Sequence, residues 1–246
     1  TTYLYCLRAL GRDGKVVTCE TQTFVTSPLA SGIGSAKTEN ISLTISDDRS
    51  SETVIPMTHG IPFPKGVLGS SENLRLLAPD GNEIPLQTQT LGQWLDGSVK
   101  WALLDFQSEK TSEGSVYTLE YGSEVQRRQF ARQLIIDEDE SSLTIDTGRL
   151  KIKVNKSQFA PFAEIQRDGQ PYLTGSRIIV TGADGVEYTS TNATPEAVEI
   201  EEAGPMRCAV RVEGQHRSAD GEPLFRSICR IYAYAGLPFI RLEHTF

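Results

Sequence analysis

A chain of 246 residues, 38% hydrophobic and 23% charged, has room for one large β domain or two smaller ones around a sizeable core. Its formal charge of −8 argues against nucleic acid as a partner, and no apolar run approaches the ~18 residues a membrane helix needs. An acidic polysaccharide would be repelled overall, so a local basic cleft is what could hold one.

The chain opens directly in strand-like sequence, Tyr3-Leu-Tyr-Cys-Leu-Arg-Ala9, and closes in another, Ile240-Arg-Leu-Glu-His-Thr-Phe246. It therefore reads as a piece of something longer, with no signal peptide to interpret. Residues 1–27 read as two strands around the turn Arg12-Asp-Gly-Lys15. The Gly/Ser-rich stretch 28–38 suits a flexible linker. Residues 39–246 form one long β-rich unit, in which the acidic run Asp137-Glu-Asp-Glu140 is a surface turn dividing possible halves 39–136 and 141–246.

Asp-Gly pairs recur at 13–14, 80–81, 96–97, 168–169, 184–185 and 220–221. Both residues tolerate the positive φ of a tight turn, so each pair marks a hairpin. The flanking segments alternate with period two: Ile41, Leu43 and Ile45 against Ser42 and Thr44, or Cys208, Val210 and Val212 against Arg207 and Arg211. Strands are expected at 41–46, 73–77, 99–106, 115–121, 149–154, 207–213, 225–234 and 239–245. Ser123–Arg132 is the one modest helix candidate. The fold class is all-β, an antiparallel sandwich or barrel with an N-terminal hairpin.

The four cysteines, Cys6, Cys19, Cys208 and Cys229, lack C-x-x-C spacing, which excludes a zinc ribbon or a thioredoxin-type motif. Cys6 and Cys19 flank a turn and could be neighbours on paired strands, but buried thiols are the expected state. The N-x-S/T triplets at Asn40, Asn155 and Asn192 are of a kind that arises by chance in a Ser/Thr-rich chain. There is no phosphate-binding Gly-rich loop, no G-x-S-x-G elbow and no H-E-x-x-H, and no spacing pairs two carboxylates as a glycosidase requires. No cofactor and no metal is expected.

Two resemblances are visible. Residues 1–27 resemble the last hairpin of a fibronectin type III domain, in which Tyr-x-Tyr-x-Leu-x-Ala precedes a turn and a final strand. Residues 40–246 resemble the N-terminal β domain of exo-acting rhamnogalacturonan lyase-like proteins of the polysaccharide lyase family 26 type. The segments that carry this likeness are His59-Gly-Ile-Pro-Phe-Pro-Lys-Gly66, Leu74-Arg-Leu-Leu-Ala-Pro-Asp-Gly81 and Trp94-Leu-Asp-Gly-Ser-Val-Lys-Trp101. Gly204–Gly214 and Ala235–Phe246 fit the same layout. The resemblance implies a RIFT-type barrel or sandwich that precedes an α/α-barrel domain in a secreted, extracellular or periplasmic bacterial enzyme. It also implies an acidic plant-type polysaccharide as partner. The likeness reduces the chain to one wall of a carbohydrate cleft, inactive by itself. A binding or spacer module without catalysis, and a structural or adhesion array element, are the alternatives.

Elimination beside a uronic acid needs a cation for the carboxylate, a base for the C5 proton and an acid for the leaving oxygen. Lys100 is the catalytic candidate. Strict alternation puts it on one face with Ala102, Leu104 and Phe106, where burial would lower its pKa and make it a base; otherwise it is a strand-end lysine reaching past the core to solvent. His59 and Lys65 bracket a Gly/Pro-rich loop and are candidates to face substrate, with plain loop structure the other reading. Trp94 and Trp101 either stack on sugar rings or belong to the core. His244, on the apolar face of the last strand, is expected in the core. His216 is expected to be exposed, and Asp96 is a turn residue.

Overall fold

The computed structural model describes residues 38–45, 54–109, 114–131 and 134–246, together with the backbone of four short N-terminal strands. Thr2–Tyr5 pairs with Gln22–Val25 and Arg8–Leu10 pairs with Val16–Thr18, both antiparallel. Where two strands were expected, four short ones pair as two nested ladders. Cys6, Cys19, the Asp13-Gly14 turn and nearly all of the 28–38 linker lie outside the described residues.

The rest is antiparallel sheet. A three-stranded sheet places Val99–Glu109 between Val54–Pro62 and Gln87–Gln93, and a four-stranded sheet runs Glu39–Ile45, Ser115–Tyr121, Leu74–Leu77 and Glu83–Ile84. Between them lies one core, with Leu74, Leu76, Leu104 and Leu119 fully buried and the Phe106 and Tyr117 rings 5.8 Å apart. A five-stranded sheet (Ile135–Glu138 to Gln170–Thr174) and a larger one built on Arg207–Arg217 and Pro223–Tyr234 enclose a second core. Leu143, Ile152, Phe159, Val210 and Ile231 fill it. Two facing sheets around a dry core are the arrangement that period-two alternation demands.

Turn chemistry was decisive locally. All five described Asp-Gly pairs fall between paired strands. At Asp168-Gly169 both residues have positive φ, 48° and 77°, as a two-residue hairpin turn between Arg167 and Gln170 requires.

Several expectations are corrected. The helix candidate forms no helix over its described part, Ser123–Ala131. Arg127 is half-buried there and donates to the carbonyls of Leu74, Ser71 and Leu86 and to the Thr88 hydroxyl, 2.6 Å away. Those bonds pin the segment across the barrel. The acidic run does not separate the halves either. Asp137 and Glu138 end the strand Ile135–Glu138, and Asp139 caps the turn into Ser142–Asp146 of the same sheet. Hydrogen bonds from Ser141 and Ser142 hold the Asp139 carboxyl down at about 2. Cys208 and Cys229 are both buried thiols, offset by four residues on the ladder, and burial pushes the Cys229 thiol up to about 11.

The two histidines exchange places. His216 is fully buried, packed among Phe159, Phe225 and His244 at ring distances of 5.9, 4.7 and 6.2 Å. His244 faces the same side of the sheet but sits on the edge strand Ile240–Thr245, where it stays exposed. Burial chiefly, then the charge of His244, lowers the His216 pKa below 6.5, with a Phe225 backbone group opposing. A depressed histidine pKa means the unfolded chain binds more protons, so this contribution is complete above 6.5 and is lost as pH falls through the folded value. Denaturant midpoints should therefore decline between pH 7 and 5, and His216→Gln should flatten that decline; an unchanged slope would count against it.

Close packing also predicts a steric effect. A Cβ on Gly214 would lie 2.6 Å from the ring of Phe159, itself fully buried. The ring has no room to retreat, so Gly214→Ala should cost about 1–3 kcal/mol, the usual range for overpacking. Equal denaturation midpoints for variant and parent would refute this.

Candidate functional site

The Asp96-Gly97 turn and the loop that follows Pro62 are stitched into one rigid unit. Gly97 N–H donates to the Trp94 carbonyl (2.9 Å) and Trp94 N–H to the Ser98 carbonyl (2.8 Å), closing the turn. The Asp96 carboxylate accepts from the Ser98 hydroxyl (2.6 Å) and N–H (3.0 Å), and the same hydroxyl accepts from Gly66 N–H (2.8 Å). The Ser98 bonds hold the Asp96 pKa below its ordinary value, with the charge of Lys65 adding to them. The Trp94 indole N–H donates to the Phe63 carbonyl (2.9 Å), and Phe63 N–H to the Lys100 carbonyl (2.9 Å).

On this base stand the exposed groups. The Lys100 ammonium lies 4.7 Å from the centre of the Trp94 ring, a cation–π contact. Trp101 is 43% exposed, with Gly60 against its ring, and Leu95 at the turn tip is 93% exposed. Lys65 is exposed on the adjoining loop. Trp94, Lys100, Trp101 and Lys65 thus share one corner of the barrel, an apolar and cationic platform on a protein of net negative charge.

Lys100 does not occupy the core face. The pairing with Gln87–Gln93 slips around Trp101, a bulge-type irregularity. Val99 and Ala102 are buried while Lys100 and Trp101 both face solvent. One extra residue between inward positions breaks strict alternation. In this chain Lys100 is therefore a solvent-facing ammonium, not the buried lysine that strict alternation predicts. His59 is corrected as well: it belongs to the strand Val54–Pro62, paired with Leu104, and not to the loop. It lies three residues, about 10 Å, along the strand from the Pro62–Trp101 pair and is not brought to the platform.

A second polar constellation joins the two halves. Asp105, 3% exposed, accepts from the Thr58 hydroxyl (2.5 Å) and pairs with Arg207 (3.1 Å), which also binds Glu202 (2.5 Å). The Gln87 amide oxygen accepts from the N–H groups of Met206 (3.0 Å) and Arg207 (2.9 Å), and its amide nitrogen donates to Glu202 (2.5 Å). Burial pushes the Asp105 pKa up against the Thr58 bond and the Arg207 charge. For Arg207 burial pulls the other way, yet Glu202 and Asp105 hold its guanidinium charged. Sequence reasoning missed this joint. Its one visible signal was a carboxylate, Asp105, set between Leu104 and Phe106. Among the described residues no helix is long and apolar enough to cross a membrane, and no group of His, Cys, Asp and Glu is arranged to hold a metal ion.

A half-barrel of antiparallel sheets followed by a β-sandwich defines a two-part, all-β module, with an exposed tryptophan–lysine corner on its first part. Family comparison agrees with the architecture. Residues 40–122 match the PcRGLX-like N-terminal RIFT barrel domain and residues 134–246 match the PcRGLX-like protein central beta sandwich domain. Over these residues the chain belongs to the PcRGLX-like, rhamnogalacturonan lyase-like family. It is also 26% identical over 200 residues to the uncharacterized protein YetA of Bacillus subtilis (strain 168), an alignment that covers 77% of this chain and 23% of that protein. The chain thus spans about a quarter of that relative's length.

Proposed function

We propose that this chain is the non-autonomous N-terminal β module of a secreted polysaccharide lyase-like protein and supplies one wall of the cleft that holds an acidic polysaccharide. The observation that carries this reading is the platform. Trp101 offers an exposed ring for the apolar face of a sugar, and Lys100, steadied over Trp94, offers a fixed cation beside it. Because Lys100 stands in solvent, the role that fits it is to anchor the carboxylate of a uronate unit away from the bond being cleaved, not to neutralise the reacting unit or take its proton. Lys65 adds a second cation on the same corner. The remaining acid–base groups of an elimination would come from a downstream α/α-barrel domain of the same polypeptide, and the fibronectin-like hairpin belongs to a module upstream.

Formation of the unsaturated uronate chromophore tests the proposal. The isolated chain should form none, whereas the whole protein should, and Lys100→Ala in the whole protein should raise KM with kcat little changed. Removing a true acid–base group would instead lower kcat by roughly 10²–10⁴-fold. Turnover by the isolated chain, or a collapse of kcat with KM unmoved, sinks this assignment.

A further inference from the structure

A cavity of about 750 Å³ opens on the seam between barrel and sandwich. Pro85, Leu86 and Gln107 wall it on one side and Pro205 and Met206 on the other, with the segment 127–131 along its rim. That volume is in the range of small-molecule sites, which favour such junctions. The rim is preorganised. The Arg127 guanidinium, bonded to the Leu74 and Ser71 carbonyls, fixes its start, and Arg128 N–H donates to the Glu83 carboxylate at 2.7 Å.

Two arginines, Arg127 and Arg128, and two glutamates, Glu72 and Glu83, border the cavity. Glu72 lies 3.7 Å from Arg127, so that pair cancels. The Arg128 guanidinium instead rests 5.5 Å over the Phe130 ring and makes no ion pair among the described residues. Its planar fork of donors is left for a carboxylate. Gln107 spends its amide nitrogen on the Ala235 carbonyl at 2.7 Å, which turns its oxygen into a fixed acceptor for a hydroxyl. Phe130, the prolines and Met206 complete an apolar wall suited to the C–H face of a pyranose ring.

We infer that this seam cavity is a separate subsite for a carboxylate-bearing sugar unit, with Arg128 on the carboxylate, Gln107 on a ring hydroxyl and Phe130 against the ring. The inference rests on the carbohydrate reading above and extends it to a second locus. Gln107 lies six residues from Trp101 on the strand Val99–Glu109, about 20 Å, so one monosaccharide cannot touch both.

The test is a titration of the isotope-labelled chain with D-galacturonate and, separately, with D-galactose, followed by amide NMR. Galacturonate should shift resonances of 107, 128–130, 206 and 235. Galactose should bind the seam at least about tenfold more weakly, and Arg128→Gln should weaken galacturonate there by roughly 10–100-fold. Trp101→Ala should leave those shifts intact, which separates this site from the platform. Thermal melting of Arg128→Gln should match the parent, because the side chain lies on the surface. Shifts confined to the surroundings of Trp101, equal responses to the two sugars, or unchanged affinity in Arg128→Gln would each overturn the seam site while leaving the platform standing. Loss of polysaccharide binding in Trp101→Ala with seam shifts preserved is the pattern expected if both hold.

Discussion

Replacing Gly204 by alanine should destabilise the protein by about 3 kcal/mol, a drop of roughly 6–12 °C in Tm for a domain of this size. The reason lies in the joint between the halves. A Cβ on Gly204 would stand 1.9 Å from the amide carbon and oxygen of Gln87 and 2.3 Å from its nitrogen. A glutamine amide normally swings aside at little cost. This one is held by the Met206 and Arg207 N–H groups and by Glu202, and it is 7% exposed. Displacing it loses three bonds, one to a charged group, and strands buried N–H donors. The clash also defines its own control. In a Gln87→Ala background the added methyl meets vacated space, so Gly204→Ala should cost much less there, with a coupling of at least about 1 kcal/mol in the double-mutant cycle. Strictly additive penalties would mean that Gln87 is not the group in the way.

Trp101→Ala should have the other large effect, on binding instead of stability. Nearly half of the ring's surface faces solvent, so its removal should leave Tm close to that of the parent. Exposed aromatic anchors dominate recognition energetics, and the affinity of the chain for an acidic oligosaccharide should fall roughly 10–100-fold. Lys100→Gln should produce a smaller loss together with a shallower dependence of affinity on ionic strength, because it removes one screened charge contact. Calorimetric titration of oligogalacturonate at two salt concentrations measures both. Parent-like affinity in Trp101→Ala would remove the platform from the account of substrate binding.

Much of the fold was legible in the chain because its determinants are local. Positive φ at a tight turn is a property of two adjacent residues, and the described Asp-Gly pairs close hairpins as expected. Alternation over Leu150–Asn155 or Arg207–Arg217 depends only on which residues must leave water, and those strands lie within a few residues of the expected bounds. The tryptophans and lysines of the candidate site were also visible as residues, through the Trp94–Trp101 segment.

What the sequence could not state is which way those residues face. Two compensating register shifts in the ladder on either side of Trp101 turn Lys100 from a would-be buried base into a solvent-facing cation. A period-two pattern carries no mark of where it is interrupted: Ala102, Leu104 and Phe106 keep the core face that alternation gives them, while Lys100 leaves it. His216 and His244 share one side of one sheet, yet only the first is buried, because burial depends on what lies above a strand and not on the strand itself. Ser123–Ala131 had some helical character by composition, but a single half-buried arginine with four acceptors from other segments outweighs that weak preference. The joint of Asp105, Arg207, Gln87 and Glu202 draws on residues more than a hundred positions apart, and the seam cavity beside it exists only because two cores meet there. Secondary structure follows from neighbours along the chain; the site follows from neighbours across it, whose positions only tertiary packing sets.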